Sequence, residues 1–308
     1  MFVVVNPTAG GGHARARWQR VLGRLRVRTR DEFFMGDASR VKDAVRAAVL
    51  RGETEFVAAG GDGTVNLVAT ALVEAGASAR GPLTLGAIGL GSSNDFHKPH
   101  PVEAEVAGAP TRLDFSHAEG RDICAVEYVT PAGEARTLYW IVNASVGITA
   151  EANWYFNHPD GWLARLKRLS SDVAIVWAAL RTIVTARALP ARLTVDGGPA
   201  EPVRLRNLGV VKNPNFAGGL HYDSPFEPAS GECFVHLVGD VGLTRLLRTF
   251  AALGRGRFAG LPGTRSWRAR RVILEADRPF AVEGDGEVIQ AVRATFQVLP
   301  RRLQICRP

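Results

Sequence analysis

The 308-residue chain has only three cysteines, Cys124, Cys233 and Cys306, with no C-x-x-C spacing among them. An odd number without paired spacing argues against a disulfide framework or a structural zinc, and makes a reducing compartment the default. No apolar run reaches membrane-spanning length. The longest candidate, Val173 to Leu180, is eight residues held between Asp172 and Arg181. The start, Met1-Phe2-Val3-Val4-Val5-Asn6, has no basic leader region and reads as a first strand rather than a signal peptide. His97 and His100 have no acid or cysteine beside them to complete a zinc set. There is no Gly-x-Ser-x-Gly elbow, so a hydrolase triad is unsupported. No helix-turn-helix, finger or RNA-binding signature is present, so nucleic acid is not an expected partner. Acids are in short supply: 30 Asp and Glu stand against 38 Lys and Arg, a net charge of +8. That excess suits an anionic partner such as a nucleotide or an acidic membrane surface, although an arginine-rich coding bias gives the same number.

What is present is ordinary globular material, 46% hydrophobic and 22% charged, in a length that accommodates two cores. Residues 1 to about 111 alternate short apolar strands with amphipathic helices. Phe2–Val5 is the first strand, Arg15 to Leu25 a helix, and Arg26 to Phe33 the region of a second strand. Asp37 or Ser39 caps a helix in which Val41, Ala44, Val45, Ala48 and Val49 recur at helical spacing. A strand at Glu55–Ala59, a helix from Thr64 to Ala75 and a strand at Leu83–Ile88 follow. This alternation predicts a doubly wound parallel sheet, whose ligands sit at the carboxyl ends of the strands. From about residue 112 short apolar runs alternate with Gly and Pro turns through residue 296. That pattern predicts an antiparallel β-sandwich, interrupted by helices at Gly161 to Ala188 and Val241 to Leu253. The last segment, 297–308, is expected to return to the first domain.

Three glycine turns follow strands of the first domain: Asn6-Pro7-Thr8-Ala9-Gly10, Gly60-Gly61-Asp62-Gly63-Thr64 and Gly91-Ser92-Ser93-Asn94-Asp95. Glycines leave backbone N–H groups uncovered, and helix N-termini add the field that phosphate requires. None of the turns carries the Walker A lysine. Asn66 and Arg15 stand where a dinucleotide fingerprint needs its third glycine. With no lysine clamp, Mg²⁺ is expected to carry more of the charge neutralisation.

Taken together, Asn6-Pro7 with Gly10, Gly60 to Thr64 with Asn66, Gly91 to Phe96, Asn143-Ala144-Ser145-Val146-Gly147, Gly218-Gly219 and Asp285-Gly286-Glu287 resemble the diacylglycerol kinase catalytic-domain family. That family includes bacterial soluble lipid kinases and the sphingosine and ceramide kinases. It is distantly similar to NAD kinases and phosphofructokinases through the Gly-Gly-Asp-Gly turn. The resemblance implies an NAD-kinase-like first domain that binds ATP and a sandwich that takes the lipid, with the cleft between them as the site. It places Asn6, Pro7, Thr8, Gly10, Gly60, Gly61, Asp62, Gly63, Thr64, Asn66, Ser92 and Glu287 on the nucleotide. Asp62 and Asp95 would serve Mg²⁺, and Asp285 would act as general base. Departures from the family pattern are Phe33 for a threonine, Leu67 for a glutamate and Gly89 for a proline. Ser230-Gly231 replaces an Asp-Gly that helps to hold a structural Mg²⁺.

The expected reaction is phosphorylation of a primary lipid hydroxyl, most readily diacylglycerol to phosphatidic acid. A ceramide or sphingoid base, a soluble acceptor of the NAD type, and a non-catalytic nucleotide-binding docking module are the alternatives. Trp162, Leu163, Leu166, Leu169, Val173, Val176, Trp177 and Leu180 lie at roughly helical spacing beside the basic Arg165, Lys167 and Arg168, a pattern that suits a membrane interface as well as packing on the sandwich. Trp162, Trp177, His221, Arg268 and Arg271 are the lipid or membrane contacts to look for. The expected setting is cytoplasmic, peripheral to an anionic membrane surface, with a homodimer allowed.

Overall fold

The structure, a computed structural model, describes residues 1–25, 31–99, 101–169 and 171–308. They form two units, one of residues 1–123 and 299–308, the other of residues 124–298.

The first unit carries β1 (Phe2–Val5), α1 (Ala14–Leu22), β2 (Asp31–Phe34), α2 (Ala38–Leu50), β3 (Glu55–Gly60), α3 (Asp62–Ala75), β4 (Thr84–Gly89), β5 (Glu105–Val106), β6 (Ala109–Arg112) and the start of β7 (Asp114–Val129). Strands β4, β3, β1 and β2 lie in that order, all parallel. Their burial is nearly continuous, as befits strands covered on both faces. Helix α1 buries Ala14, Trp18 and Val21, at i, i+4 and i+7, against Val3, Val5, Val57, Ala59 and Ile88. Asp37 caps α2, its side chain accepting from Ser39 N at 3.0 Å. The expected second strand begins within residues 26–30, which lie outside the described residues; β2 starts at Asp31. The outer edge of β4 is shared. The chain's last strand, β17 (Glu287–Arg307), pairs parallel with Thr84 and Leu85 through Gln304 and Ile305, and β6 pairs antiparallel with Ala87 and Ile88. The first unit runs past the expected boundary at residue 111, as far as residue 123: β6 pairs with β4 as far as Arg112, and beyond it Glu119 pairs with Arg307 and Asp122 accepts from Arg301 N of the last segment.

The second unit continues with β8 (Ala135–Trp140), β9 (Asn143–Gly147), α4 (Ile148–Asn157), α5 (Gly161–Leu169), α6 (Ser171–Thr185), β10 (Leu189–Val195), β11 (Glu201–Val211), β12 (Asn215–Phe216), β13 (Leu220–His221), β14 (Cys233–Gly239), α7 (Leu243–Leu253), β15 (Thr264–Ala269) and β16 (Arg271–Gly284). It is an antiparallel β-sandwich. Strands β11 and β16 each take β10 along one stretch and β9 along another, which folds the sheet around a core of Val126, Trp140, Leu208, Val235, Val282 and Phe296. One expectation changes here. The single helix expected over Gly161 to Ala188 is two, α5 and α6. Helix α4 has little signal in the sequence, because its β-branched and aromatic residues weaken helix propensity. Asp160 starts α5, accepting from Leu163 N at 2.9 Å. Among the described residues no helix is long and apolar enough to cross a membrane.

Candidate active site

The three glycine turns leave the carboxyl ends of the neighbouring parallel strands β1, β3 and β4, and hydrogen bonds lace them together. Asn6 N donates to Ala59 O at 2.9 Å and Leu90 N to Gly60 O at 2.8 Å. Asn6 Nδ2 donates to Thr64 Oγ1 at 3.0 Å, while Asn6 Oδ1 accepts from Thr8 N and Thr8 Oγ1. Asn6 therefore ties the first turn to the start of α3. Replacing it with Ala removes one acceptor and one donor at this junction. Asn6→Ala should lower unfolding stability by about 1–2 kcal/mol, read as a lower denaturant midpoint.

The glycines divide into two kinds. A Cβ on Gly91 would lie 2.5 Å from Gly61 Cα, and one on Gly10, whose φ is +57°, would lie 2.6 Å from Leu90 O. These positions are closed by neighbouring backbone. Gly63, in the first turn of α3, is exposed, and a Cβ there would meet nothing within 4 Å. Thr8 and Ser92 are also exposed, whereas Thr64 and Asn66 are buried. Helix α3 has no side-chain cap at Gly61. Its first N–H groups are thus presented beside the open Gly63, an arrangement suited to an anion. Gly89, the departure from the family proline, is closed as well: a Cβ would lie 2.7 Å from Pro110 Cγ and 2.9 Å from Asn94 Cγ.

Asp62 reaches back to the third turn. Its Oδ1 accepts from Phe96 N at 2.8 Å, and Asp95 lies near enough for their charges to interact. Burial pushes the Asp62 carboxyl above its ordinary range, and the Asp95 charge adds to that. Asp95 accepts from Lys98 Nζ at 2.8 Å. Among the described residues there is no group of three or more His, Cys, Asp or Glu placed to hold a metal. A pair of carboxylates does fit Mg²⁺ that arrives with nucleotide phosphates, because that ion keeps most of its shell as water and phosphate oxygen. A cation from just after β11 reaches the loop in which the Ser230 departure falls. The buried Lys212 donates from Nζ to Glu232 O at 2.7 Å and to Ser230 Oγ at 3.3 Å.

In the second unit, Asp285 and Gly286 are the two central residues of the β16–β17 hairpin, with φ of +47° and +90°. This is the primed turn that Asp-Gly favours. Its carboxylate accepts from three successive backbone amides at the β8–β9 corner: Ile141 N to Oδ2 at 2.7 Å, Val142 N to Oδ1 at 3.1 Å and Asn143 N to Oδ1 at 2.9 Å. Burial, helped by the neighbouring Glu283 charge, outweighs those bonds and pushes the carboxyl up to about 7. A carboxylate with its proton affinity near neutrality is matched to general-base work. Glu287 is exposed at the foot of the same hairpin. Glu283, which the sequence did not single out, is buried beside it.

The remaining candidates are scattered. His221 is half-buried, and its ring packs on Gly256 in the loop after α7. Arg268 is spoken for by acids: its guanidinium pairs with Glu227 at 2.7 Å and Glu232 at 3.8 Å and lies over Phe234. Arg271 is exposed, with its backbone N donating to Asp196. Trp162 on α5 and Trp177 on α6 are exposed.

Residues 1–126 match the model of the diacylglycerol kinase catalytic domain, and residues 143–307 match that of the YegS C-terminal NAD kinase beta sandwich-like domain. The chain belongs to the diacylglycerol kinase catalytic-domain family. It is a lipid kinase, and the glycine turns above lie within the catalytic-domain match. A diacylglycerol kinase of Mycobacterium tuberculosis (strain CDC 1551 / Oshkosh) is 25% identical over 99% of this kinase and 94% of that protein. One from Bacillus subtilis (strain 168) is 24% identical over 99% and 95%. The crystal structure of a diacylglycerol kinase from Bacillus anthracis str. Sterne superposes with a TM-score of 0.68 at 15% identity, covering 100% of this kinase and 96% of that chain, a likeness of fold.

Proposed function

We propose that this kinase transfers the γ-phosphoryl group of ATP to the primary hydroxyl of diacylglycerol, giving phosphatidic acid. The observation that carries the reading is Asp285: a desolvated carboxylate, its proton affinity near neutrality, fixed by three backbone amides. The relatives named diacylglycerol kinase, matched over almost their full length, favour that acceptor over a ceramide or sphingoid base. Asp285 takes the hydroxyl proton as the alcohol oxygen bonds to the γ-phosphorus. The bond from that phosphorus to the β–γ bridging oxygen breaks, and ADP leaves. The turn N–H groups, with Thr8 and Ser92, orient the phosphates, and Asn6, bonded to the buried Thr64 hydroxyl, holds two of the turns in register. Mg²⁺ would be held by Asp62 and Asp95 together with phosphate oxygens and would neutralise charge on the transferring group.

The lipid has to be met at a surface. Among the described residues, every exposed large apolar side chain except Phe34 and Leu50 lies on α5, α6 or α7. Val173, Val176, Trp177, Leu180 and Val184 make one stripe along α6. Such a concentration marks a contact face, and a bilayer is the occupant that suits a lipid kinase. Burying one such side chain contributes about 1.5–3 kcal/mol. Val176→Glu with Leu180→Glu should therefore weaken binding to vesicles by at least roughly tenfold, while a short-chain soluble diacylglycerol is phosphorylated at the unaltered rate. Unchanged co-flotation of the double variant would remove this face from the reading. The acceptor itself is tested with γ-labelled ATP and mixed micelles of diacylglycerol, ceramide or sphingosine. Diacylglycerol is expected to be labelled in preference, and no labelled lipid from any acceptor would sink the assignment.

A further inference from the structure

Two residues before Asp285, Glu283 is a second carboxylate, only 5% exposed. It sits on β16 directly opposite Ser145 of β9. Its Oε2 accepts from Ser145 Oγ at 2.7 Å and its Oε1 accepts from Gly286 N at 2.7 Å. Among the described residues no cation pairs with it. A buried, unpaired carboxylate costs several kcal/mol to desolvate, which two hydrogen bonds of about 1.5–3 kcal/mol each at best offset. An apolar side chain would serve stability as well. What Glu283 does is close a ring. Asp285 accepts from Asn143 N at the start of β9, β9 carries Ser145, Ser145 donates to Glu283, and Glu283 accepts from Gly286, the residue after Asp285.

We propose that Glu283 is a positioning residue for phosphoryl transfer: with Ser145 it clasps Gly286 and so fixes the direction in which Asp285 presents its carboxylate. The proposal rests on the reading of Asp285 as the base. Asp285 holds a left-handed backbone conformation that few non-glycine residues adopt, and the clasp acts on the peptide unit that follows it. Burial raises the proton affinity of Glu283, against its two hydrogen bonds, but the clasp works in either protonation state, since a protonated Oε2 donates to Ser145 Oγ instead.

The test is steady-state kinetics with Mg-ATP and diacylglycerol micelles, alongside thermal melts. Glu283→Gln keeps an oxygen for Gly286 N and an N–H for Ser145 Oγ, so its kcat should stay within about threefold of wild type. Glu283→Leu fills the volume without the clasp. It should fold, keep its KM for ATP within about twofold, and lose kcat by up to roughly 10²-fold, the scale on which a misplaced reacting group costs rate. Ser145→Ala, a smaller change that keeps the fold if the Leu variant does not, should lose kcat several-fold with KM for ATP unaltered. Wild-type kcat in Glu283→Leu or in Ser145→Ala overturns the clasp, as does a Gln variant as slow as the Leu variant. A wild-type rate in Asp285→Asn is a different failure, because it removes the base and the clasp with it.

Discussion

Asp285→Asn should lower lipid phosphorylation by roughly 10²–10⁴-fold, the usual worth of a positioned acid or base, and leave nucleotide binding at the glycine turns intact. The amide keeps an oxygen for Val142 N and Asn143 N, but its NH₂ group faces Ile141 N–H and loses that bond. A melt and an ATP-binding isotherm separate lost chemistry from lost fold; equal turnover by the Asn variant would end the base assignment. The pH profile of the wild-type enzyme gives a second reading. With the Asp285 carboxyl pushed up to about 7 by burial, only its deprotonated form accepts the hydroxyl proton. kcat/KM should rise through about pH 7, level above it, and fall about tenfold per unit well below it. The stability contribution runs the opposite way. The folded carboxyl holds its proton more tightly than the unfolded one, whose pKa is about 3.9. Asp285 therefore contributes less stability as pH rises from about 4 to about 7.

Gly63→Ala and Gly91→Ala should part company. At Gly63 the methyl group meets nothing and replaces the poorer helix former, so the variant should be more stable by up to about 1 kcal/mol. If phosphate oxygens approach that N–H edge, the same methyl crowds them, and the Kd for ATP should rise tenfold or more. At Gly91 the methyl is driven against Gly61 Cα, and the two turns must separate. That variant should lose about 1–3 kcal/mol of stability, the usual cost of overpacking, along with its ATP affinity. Isothermal titration and melts on the pair distinguish a glycine kept for the ligand from one kept for the fold. An unaltered Kd in Gly63→Ala would take the phosphates away from α3.

The first unit was readable because its signals are local. Buried parallel strands spell out as apolar runs, Asp37 announces a cap, and each glycine turn follows its strand in sequence. Asp285 was readable only through motif resemblance, since Asp-Gly by itself marks a hairpin, and a hairpin is what it forms. The amides that hold it, at 141–143, are backbone groups with no residue-type signature. Glu283 is not legible locally, because its meaning depends on Ser145, 138 residues away. The one available hint was an acid closing the apolar run Phe280-Ala281-Val282. Arg268 is legible as a charge, but the acids Glu227 and Glu232 that pair with it are not.

The sharing of the β4 edge has a consequence for how the chain is made. Thr84 and Leu85 wait for Gln304 and Ile305, so this pairing closes across 220 residues of chain. During synthesis the nucleotide-binding sheet emerges early, yet its fourth strand stays half uncovered until the whole sandwich has left the ribosome. Such high contact order slows folding and leaves a hydrogen-bonding edge available to other chains in the meantime. β6 masks Ala87 and Ile88 as soon as it is made, and so limits that interval of exposure to the other end of the strand.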